Sequence, residues 1–456
     1  MFQENSFPAS TTFDAAAAPA AGCDTSRRHF INHAGRGLLA VGVAGALPLA
    51  AGAQAAKTFK AAKAAAAPPV PGPLDIKLPP LEAPTDPKGA GPLNPDAPER
   101  RVGYAVVGLG HLTLNEILPA FGQCKHAKVV ALVSGDADKM GKVALQYGIR
   151  PGSCYSYQTY DQIKDNPEVE VIYIVLPNSM HHDFTLRGAK AGKHILCEKP
   201  MANSVQECEE MIAACKKAGK QLMIAYRIQY EPLNRQAQKA VRAKTYGQTK
   251  LIQMVNTQNQ AHDQQWRHKK ALAGGGALLD IGLYCLNTTR FLLGEEPIEV
   301  SAQLYSTPGD DRFKEVEENV TFTLRFPSGV ISQCTTGYGS FNSKAYTVHA
   351  ETGSIKMDPA FPYHGLHLEY IHAPNGKQLK EIPNDPMKNQ FALEMDHMAE
   401  CVRQNKAPYT PGEEGLQDQR IMEAIYQSAR ENKPVKLPAG PRIDAFRGPL
   451  PTEEEA

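Results

Sequence analysis

The run Val102-Gly103-Tyr104-Ala105-Val106-Val107, followed at once by Gly108-Leu109-Gly110, constrains this chain more than any other stretch. Six consecutive uncharged, mostly apolar residues read as a strand covered on both faces, as in a parallel sheet. Glycine at the first turn position permits a tight reversal. Glycine at the third lets the backbone approach a phosphate held at the start of the next helix. Alone, Gly-x-Gly is an ordinary turn, and Thr113 stands where a third glycine would complete the fingerprint. Its place directly after the first strand of an alternating series is what makes it informative.

That series continues for over a hundred residues. A helix is predicted through Asn115–Leu118, a strand over Val129–Val133 and a helix near Lys139–Tyr147. Further strands are expected over Val169–Leu176, Ile195–Cys197 and Gln221–Ala225, with a capping box of Ser204 and Glu207 opening the helix before the last. Strands alternating with helices imply a parallel sheet with crossover connections. Residues 101–225 are therefore expected to form a Rossmann dinucleotide-binding domain.

After residue 226 the period changes to two. Val320-Thr321-Phe322-Thr323-Leu324-Arg325-Phe326 alternates apolar and polar residues, Pro327-Ser328-Gly329 turns the chain, and Val330-Ile331-Ser332 starts the return. Leu251–Val255, Ile298–Leu304 and Tyr346–His349 extend the pattern. At 456 residues the chain exceeds one ordinary core. The expected class is α/β, with the Rossmann domain followed over 226–440 by an α+β substrate and oligomerisation domain. That second domain is read as a large, mostly antiparallel sheet with helices on one side, and 441–456 as a C-terminal tail. An open sheet face of this kind predicts a homo-oligomer.

The first hundred residues read differently. Ser26-Arg27-Arg28-His29-Phe30-Ile31, a Gly/Ala-rich apolar run over Leu38–Leu47 and Ala53-Gln54-Ala55 make a twin-arginine signal peptide of 1–55. The expected location is the periplasm, with the twin-arginine export machinery as a partner. The apolar run is too short and too glycine-rich for a stable membrane anchor. Residues 56–100 are a Pro/Ala-rich linker, or an arm laid over the nucleotide or a neighbouring subunit. A net charge of +1 without an arginine-rich arm offers no large basic surface to nucleic acid. The nine cysteines include no CxxC pair; Cys208 and Cys215 lie along a helical pattern, Cys197 ends a strand and Cys285 sits in another helix, so they read as small buried hydrophobes rather than metal ligands.

Three further groups carry chemistry. Ser134-Gly135 ends the second strand, where an acidic residue would grip the ribose diol of NAD, and Lys139 follows on the next turn. A hydroxyl, exposed amides and a cation suit a 2′-phosphate, so NADP is the expected cofactor, with Asp136 as the counter-argument. Cys197-Glu198-Lys199-Pro200 lies at the C-terminal end of a strand, the edge where open α/β sheets build sites, and places Lys199 beside the nicotinamide. Gly274-Gly275-Gly276 precedes Asp280-Ile281-Gly282-Leu283-Tyr284, whose Asp280 and Tyr284 share one face of a helix. Oxidising an alcohol needs a proton acceptor. A free tyrosine titrates near 10, and a neighbouring lysine charge lowers such a value. Lys199 and Tyr284 thus read as a couple, with Asp280 orienting it or gripping the substrate.

Taken in order, Gly108-Leu109-Gly110, Pro177-Asn178-Ser179-Met180-His181, Glu198-Lys199-Pro200 and Asp280…Tyr284 resemble the Gfo/Idh/MocA oxidoreductase family, from Arg101 to about Val435. Tyrosine at 284, where most of the family has histidine, resembles its glucose–fructose and aldose–aldose oxidoreductase branch. So do Gln265-Trp266-Arg267, Gly294-Glu295-Glu296-Pro297-Ile298-Glu299-Val300 and Pro411-Gly412-Glu413-Glu414-Gly415. The resemblance implies tightly held NADP, oxidation of one sugar at C1 to a lactone, and reduction of a second sugar to an alditol. It also implies Lys199, Asp280 and Tyr284 as catalytic residues. The implied nucleotide contacts are Gly108, Leu109, Gly110, Ser134, Gly135, Lys139, Tyr157, Leu176, Pro177, Asn178, His181, Glu198, Lys199, Arg227, Trp266, Arg267 and Tyr363. His111-Leu112 and Ile228-Gln229 depart from the branch pattern, the second where substrate could touch, which leaves the acceptor open between a ketose and an aldose. Two other readings are an NADP-dependent aldose dehydrogenase with exchangeable cofactor and a non-catalytic, nucleotide-dependent sugar-binding protein.

Overall fold

A computed structural model describes residues 78–79, 81, 95–260, 265–385, 387–438, 443–445 and 447–449. The expected twin-arginine signal peptide and most of the Pro/Ala-rich stretch lie outside them. Six parallel strands build the first sheet: β1 (Val102–Val107), β2 (Ala127–Val133), β3 (Cys154–Tyr155), β4 (Val171–Ile174), β5 (His194–Glu198) and β6 (Leu222–Ala225). Their order, β3-β2-β1-β4-β5-β6, reverses direction between β1 and β4. Such a switch opens a crevice at the carboxyl ends of the strands, where open α/β sheets bind ligands. Every residue of β1 is buried, as its uninterrupted apolar run requires.

The local elements follow the predicted order with changes of detail. The helix after β1 tightens and loosens within thirteen residues, with a π turn over Thr113–Ile117. Only half of the capping box forms. The Ser204 hydroxyl accepts from the Glu207 N–H at 3.2 Å, but the Glu207 carboxylate turns to the N–H of Asn203 at 2.9 Å. Leu78 packs on the core and the Pro79 carbonyl accepts from Gln146 at 3.0 Å. Gln146 ends the Ala137–Gln146 helix, so this part of the arm meets the far end from Asp136 and Lys139.

The second sheet has nine strands among the described residues. They are β7 (Thr249–Asn259), β8 (Glu299–Tyr305), β9 (Asn319–Arg325), β10 (Ile331–Gly337), β11 (Gly339–Ala350), β12 (Gly353–Met357), β13 (Leu368–His372), β14 (Leu379–Glu381) and β15 (Val435–Lys436). All pairings are antiparallel except β7 with β10, which run parallel through seven residues. In the β9–β10 hairpin Val320, Phe322, Leu324, Ser332, Cys334 and Thr336 face inward, and the Leu283–Leu293 helix packs on that face, where Thr289 meets Ser332 at 3.0 Å. Thr321, Arg325, Ile331, Gln333 and Thr335 face out and are exposed.

A boundary at 226 separates the two sheets but not their covering. The Gln390–Gln404 helix returns to the first sheet. The Tyr104 hydroxyl donates to the Met395 carbonyl at 2.7 Å, and Asp396 accepts from the N–H groups of Lys125, His126 and Ala127. Ile224 of β6 donates to the Thr410 carbonyl at 2.8 Å. A parallel sheet must be covered on both faces, and distant sequence supplies part of that cover. Of the eight described cysteines seven are buried, and burial pushes the Cys215 thiol up to about 12. Among the described residues no helix is long and apolar enough to cross a membrane, and no group of three or more His, Cys, Asp or Glu side chains is placed to hold a metal.

Candidate active site

Gly108 has φ +95°, and a Cβ there would lie 2.2 Å from the Val175 carbonyl oxygen of the neighbouring segment. Only glycine fits. Thr113, in place of a third glycine, donates its hydroxyl to the Gly108 carbonyl at 2.7 Å and so closes the turn from inside. Leu109 is 4% exposed, so its side chain belongs to the core and only its backbone can meet a ligand. At Gly110 a Cβ would meet nothing within 4 Å, and the helix that follows begins exposed at His111. This open turn at the switch point fits a pyrophosphate.

The adenosine end lies beyond β2. The buried Ser134 hydroxyl accepts from the Asp136 N–H at 3.1 Å, and Asp136 caps the next helix by accepting from the Lys139 N–H at 2.9 Å. The cap uses one oxygen of the Asp136 carboxylate, and the side chain stays half exposed. The Lys139 ammonium lies 3.9 Å from it and stays partly exposed. Tyr157 packs against Gly135, where a Cβ would meet its ring at 3.0 Å, and stands edge-on to Phe184.

Not every expected nucleotide contact points toward this crevice. His181 is fully buried, with Nε2 2.9 Å from the Leu176 carbonyl and Nδ1 2.9 Å from the Pro200 carbonyl. It staples the loop after β4 to the loop after β5, and burial lowers its pKa. Asn178 donates to the Ala273 carbonyl at 2.8 Å, joining Pro177 and the same loop to the second domain. Glu198 is buried, accepts from the Tyr173 hydroxyl at 2.8 Å and from the Lys199 N–H at 3.2 Å. These three support the loops from beneath.

At the end of β5 the catalytic candidates meet. The Lys199 ammonium donates to the Asp280 carbonyl at 2.9 Å and to Asp280 Oδ1 at 3.0 Å, and stands 4.9 Å over the Tyr284 ring centre. The other carboxylate oxygen of Asp280 accepts from Arg267 Nε at 3.0 Å and from the Tyr338 hydroxyl at 2.7 Å. Burial would raise the Asp280 pKa, but Lys199 and Arg267 more than reverse this and hold it well below the carboxylate range. Burial opposes charge on Lys199 as well, yet Asp280, Tyr284 and Glu198 hold its pKa above the ordinary lysine value. Both Asp280 oxygens accept from neighbouring cations, which lets the carboxylate orient Lys199. Leu278–Gly282 forms a π turn rather than an α-helical one; residues four apart still share a face in such a turn, and Lys199 bridges Asp280 and Tyr284 there.

Arg227, expected at the nucleotide, is the partner of the phenol. Its Nη2 donates to the Tyr284 oxygen at 3.0 Å and to the Phe361 carbonyl at 2.7 Å, while Nη1 donates to Gln390 at 2.5 Å. Its guanidinium lies 4.6 Å over the Tyr363 ring and is 4% exposed. Trp266 lies under the Arg267 guanidinium at 4.5 Å, so this pair flanks the site through Asp280. Ile228 lines a small cavity with Lys199, Leu283, Tyr284, Asn287 and Thr288, whereas Gln229 turns away from it into a buried polar cluster.

Several participants escaped the sequence reading. Tyr338 just after β10, Tyr173 on β4 and Glu394 on the Gln390–Gln404 helix bear on the site only through tertiary contacts. The Tyr173 hydroxyl lies 2.8 Å from Glu198 and 3.1 Å from Glu394, and burial, then the Glu198 charge, hold Glu394 well above the carboxylate range. Lys344 on β11 is half-buried, donates to Gln258 at 3.3 Å, and burial followed by repulsion from Arg227 lowers its pKa. No local motif marks these residues.

Comparison with known proteins agrees with this architecture. Residues 102–226 match the family described as "Oxidoreductase family, NAD-binding Rossmann fold", and 246–437 match "Oxidoreductase family, C-terminal alpha/beta domain". The chain is similar to the aldose-aldose oxidoreductase from Caulobacter crescentus, whose crystal structure was obtained with glycerol. It shares 44% identity with that protein at a TM-score of 0.72, over 74% of this chain and all of that one. It is 29% identical to a D-xylose 1-dehydrogenase [NADP(+)] of Haloarcula marismortui over 347 residues, 75% of this chain and 94% of the relative. It is 26% identical to a 1,5-anhydro-D-fructose reductase of Ensifer adhaerens, over 69% of this chain and 92% of that protein. With a Rossmann half, an α/β half and a site built between them, the chain belongs to the Gfo/Idh/MocA oxidoreductase family.

Proposed function

We propose that this protein is a periplasmic sugar oxidoreductase that retains NADP, oxidises an aldose at C1 to an aldonolactone and reduces a second sugar, aldose or ketose, to an alditol. The observation that carries the reading is the convergence of Lys199 and Arg227 on Tyr284, with Lys199 and Tyr284 lining one small cavity just past the end of β5. When bound, NADP supplies the hydride acceptor and, in the return half-reaction, the donor. The chain's own groups handle the proton. Tyr284 takes it from the C1 hydroxyl and later returns it to the carbonyl oxygen of the acceptor. Arg227 faces the phenol oxygen and meets negative charge there. Lys199 has three donors, of which two go to Asp280, leaving one directed at the substrate oxygen.

The site offers Gly108 and Gly110 to the pyrophosphate, and Ser134, Gly135 and Lys139 to a 2′-phosphate. Retention of NADP and export by the twin-arginine route, which resembles one carrying folded proteins, belong together in this reading. The exposed face of the nine-stranded sheet is the surface on which we expect a homo-oligomer to form, measurable by light scattering.

The test is to desalt purified protein, determine the nucleotide it keeps, and add a single aldose. One equivalent of NADPH should form, and a second sugar should consume it, with lactone and alditol as products. The likeness to a D-xylose 1-dehydrogenase [NADP(+)] favours a second reading, an aldose dehydrogenase with exchangeable cofactor. Turnover that depends on continuously added NADP would establish that reading instead.

A further inference from the structure

We infer that Arg447, in the C-terminal segment, is a positioning residue for the Arg227–Tyr284 pair. The inference rests on the proposed role of Tyr284 as proton acceptor. Sequence alone makes this segment a tail. The structure buries its arginine instead, with the side chain 1% exposed. Arg447 Nη1 donates to the Gln229 side-chain oxygen at 2.6 Å, Nη2 pairs with Glu414 at 2.6 Å, and the guanidinium lies 4.6 Å over the Tyr409 ring. The backbone is laid down as closely. Gly448 donates to the Pro408 carbonyl at 3.0 Å, and a Cβ on it would fall 1.7 Å from the Ala407 carbonyl oxygen.

What Arg447 holds is a stitch between the two elements that carry the reacting pair. Gln229 ends the single turn Arg227–Gln229. Its amide nitrogen donates to Asn287 at 2.7 Å and to Glu414 at 3.0 Å. Asn287 lies one turn beyond Tyr284 on the Leu283–Leu293 helix and donates to Glu414 and Asp418, both at 2.8 Å. The Gln229–Asn287 bond thus ties the Arg227 turn to the Tyr284 helix, and neither amide is more than 3% exposed. A buried amide oxygen stripped of its donor has no water to replace it and will seek another rotamer. Without Arg447, Gln229 loses that donor and, among the described residues, Glu414 keeps only Arg290 as a cation. The stitch then loosens, and with it the 3.0 Å contact between Arg227 and the Tyr284 oxygen. A displacement of an ångström at reacting groups costs on the order of a hundredfold in rate, so a partial one is expected to cost about tenfold. The glycine turn that holds nucleotide makes no contact with this cluster among the bonds described.

Arg447→Met in the full chain tests this beside Arg447→Lys and Tyr284→Phe. NADPH binding is followed by fluorescence titration, fold by near-UV circular dichroism, and chemistry by the single-turnover rate with an aldose across pH. R447M should bind NADPH and fold as the parent does, reduce nucleotide about tenfold more slowly and shift the pH–rate profile; R447K should lie between. Should R447M fail to fold, Gln229→Met removes the stitch but leaves the Arg447–Glu414 pair, and carries the same expectation. An R447M or Q229M rate within twofold of the parent, with Y284F inactive, overturns the inference alone. A Y284F variant as active as the parent overturns the proposed function beneath it.

Discussion

The ammonium of Lys199 stands 4.9 Å above the centre of the Tyr284 ring, on its face rather than beside its hydroxyl. A cation over a ring face is attracted to the π cloud and fixes the ring's orientation, while the hydroxyl is left to Arg227. Two functions that the sequence assigned to one couple are therefore divided among three residues. Tyr284→Phe removes the proton acceptor and should lower single-turnover reduction by aldose by at least about a hundredfold with NADPH binding unchanged. Lys199→Met should cost a similar factor and also weaken sugar binding. Equal rates for Y284F and the parent would deny the phenol any part in the chemistry.

Asp280→Asn tests whether the carboxylate orients Lys199. The variant keeps the side chain's shape but has one acceptor in place of two and leaves Lys199 and Arg267 without their shared anion, so kcat should fall by roughly ten- to a hundredfold. The pH dependence has a defined sign. A carboxyl held below its unfolded value, near 3.9, contributes stability that is complete above that pH and fades as pH falls below it. The melting-temperature gap between parent and D280N should therefore be full at pH 6 and narrow below about pH 4. A gap that widens on acidification would mean that Asp280 is not the anion described.

Asp418 behaves in the opposite sense. Burial, opposed by Arg290 and reinforced by Glu414, raises its pKa to about 7. The folded state then holds this proton more tightly than the unfolded chain between about pH 4 and 7, and stability declines as pH rises through that window. Asp418→Asn fixes the group neutral, so its melting curve should lose this slope. Scanning calorimetry from pH 5 to 8 should show the parent losing a few degrees relative to D418N. Parallel curves would place the titration elsewhere in the cluster.

The fold was legible wherever burial on two faces or one face left a period in the text. Val102–Val107 and Val129–Val133 had to be strands of a covered sheet, and the alternation at Val320–Phe326 had to be a half-covered one. Glycine at 108 was legible for a local reason, since the turn needs a positive φ and an open approach to Val175. The site was only half legible, because motif residues name themselves while their partners do not. Lys199, Asp280 and Tyr284 came from short strings. That Arg227 faces the phenol, that Tyr338 binds Asp280, and that Arg447 reaches Gln229 across 218 positions depend on how two sheets and three helices pack. His181 is of the same kind, since the family resemblance implies a nucleotide contact but only the packed structure shows both ring nitrogens facing carbonyls of the loops it joins.

Cofactor choice is the remaining prediction, and it turns on two side chains at the end of β2. Ser134 is buried against the Asp136 N–H, and Lys139 projects from the first turn of the following helix. Asp136 uses one oxygen as the helix cap, which ties its carboxylate to the helix end rather than leaving both oxygens for a ribose diol. Ser134→Asp should place a carboxylate at the end of β2 and repel a 2′-phosphate. Lys139→Ala should remove one charge-assisted hydrogen bond, worth roughly 1.5–3 kcal/mol, or about ten- to a hundredfold in affinity. Calorimetric titration with NADPH and NADH should show both variants weaker for NADPH, with S134D alone gaining affinity for NADH. If K139A binds the two nucleotides with the parent's ratio, the phosphate is held by backbone amides of Gly135 and its neighbours, and the lysine is a solvated helix charge.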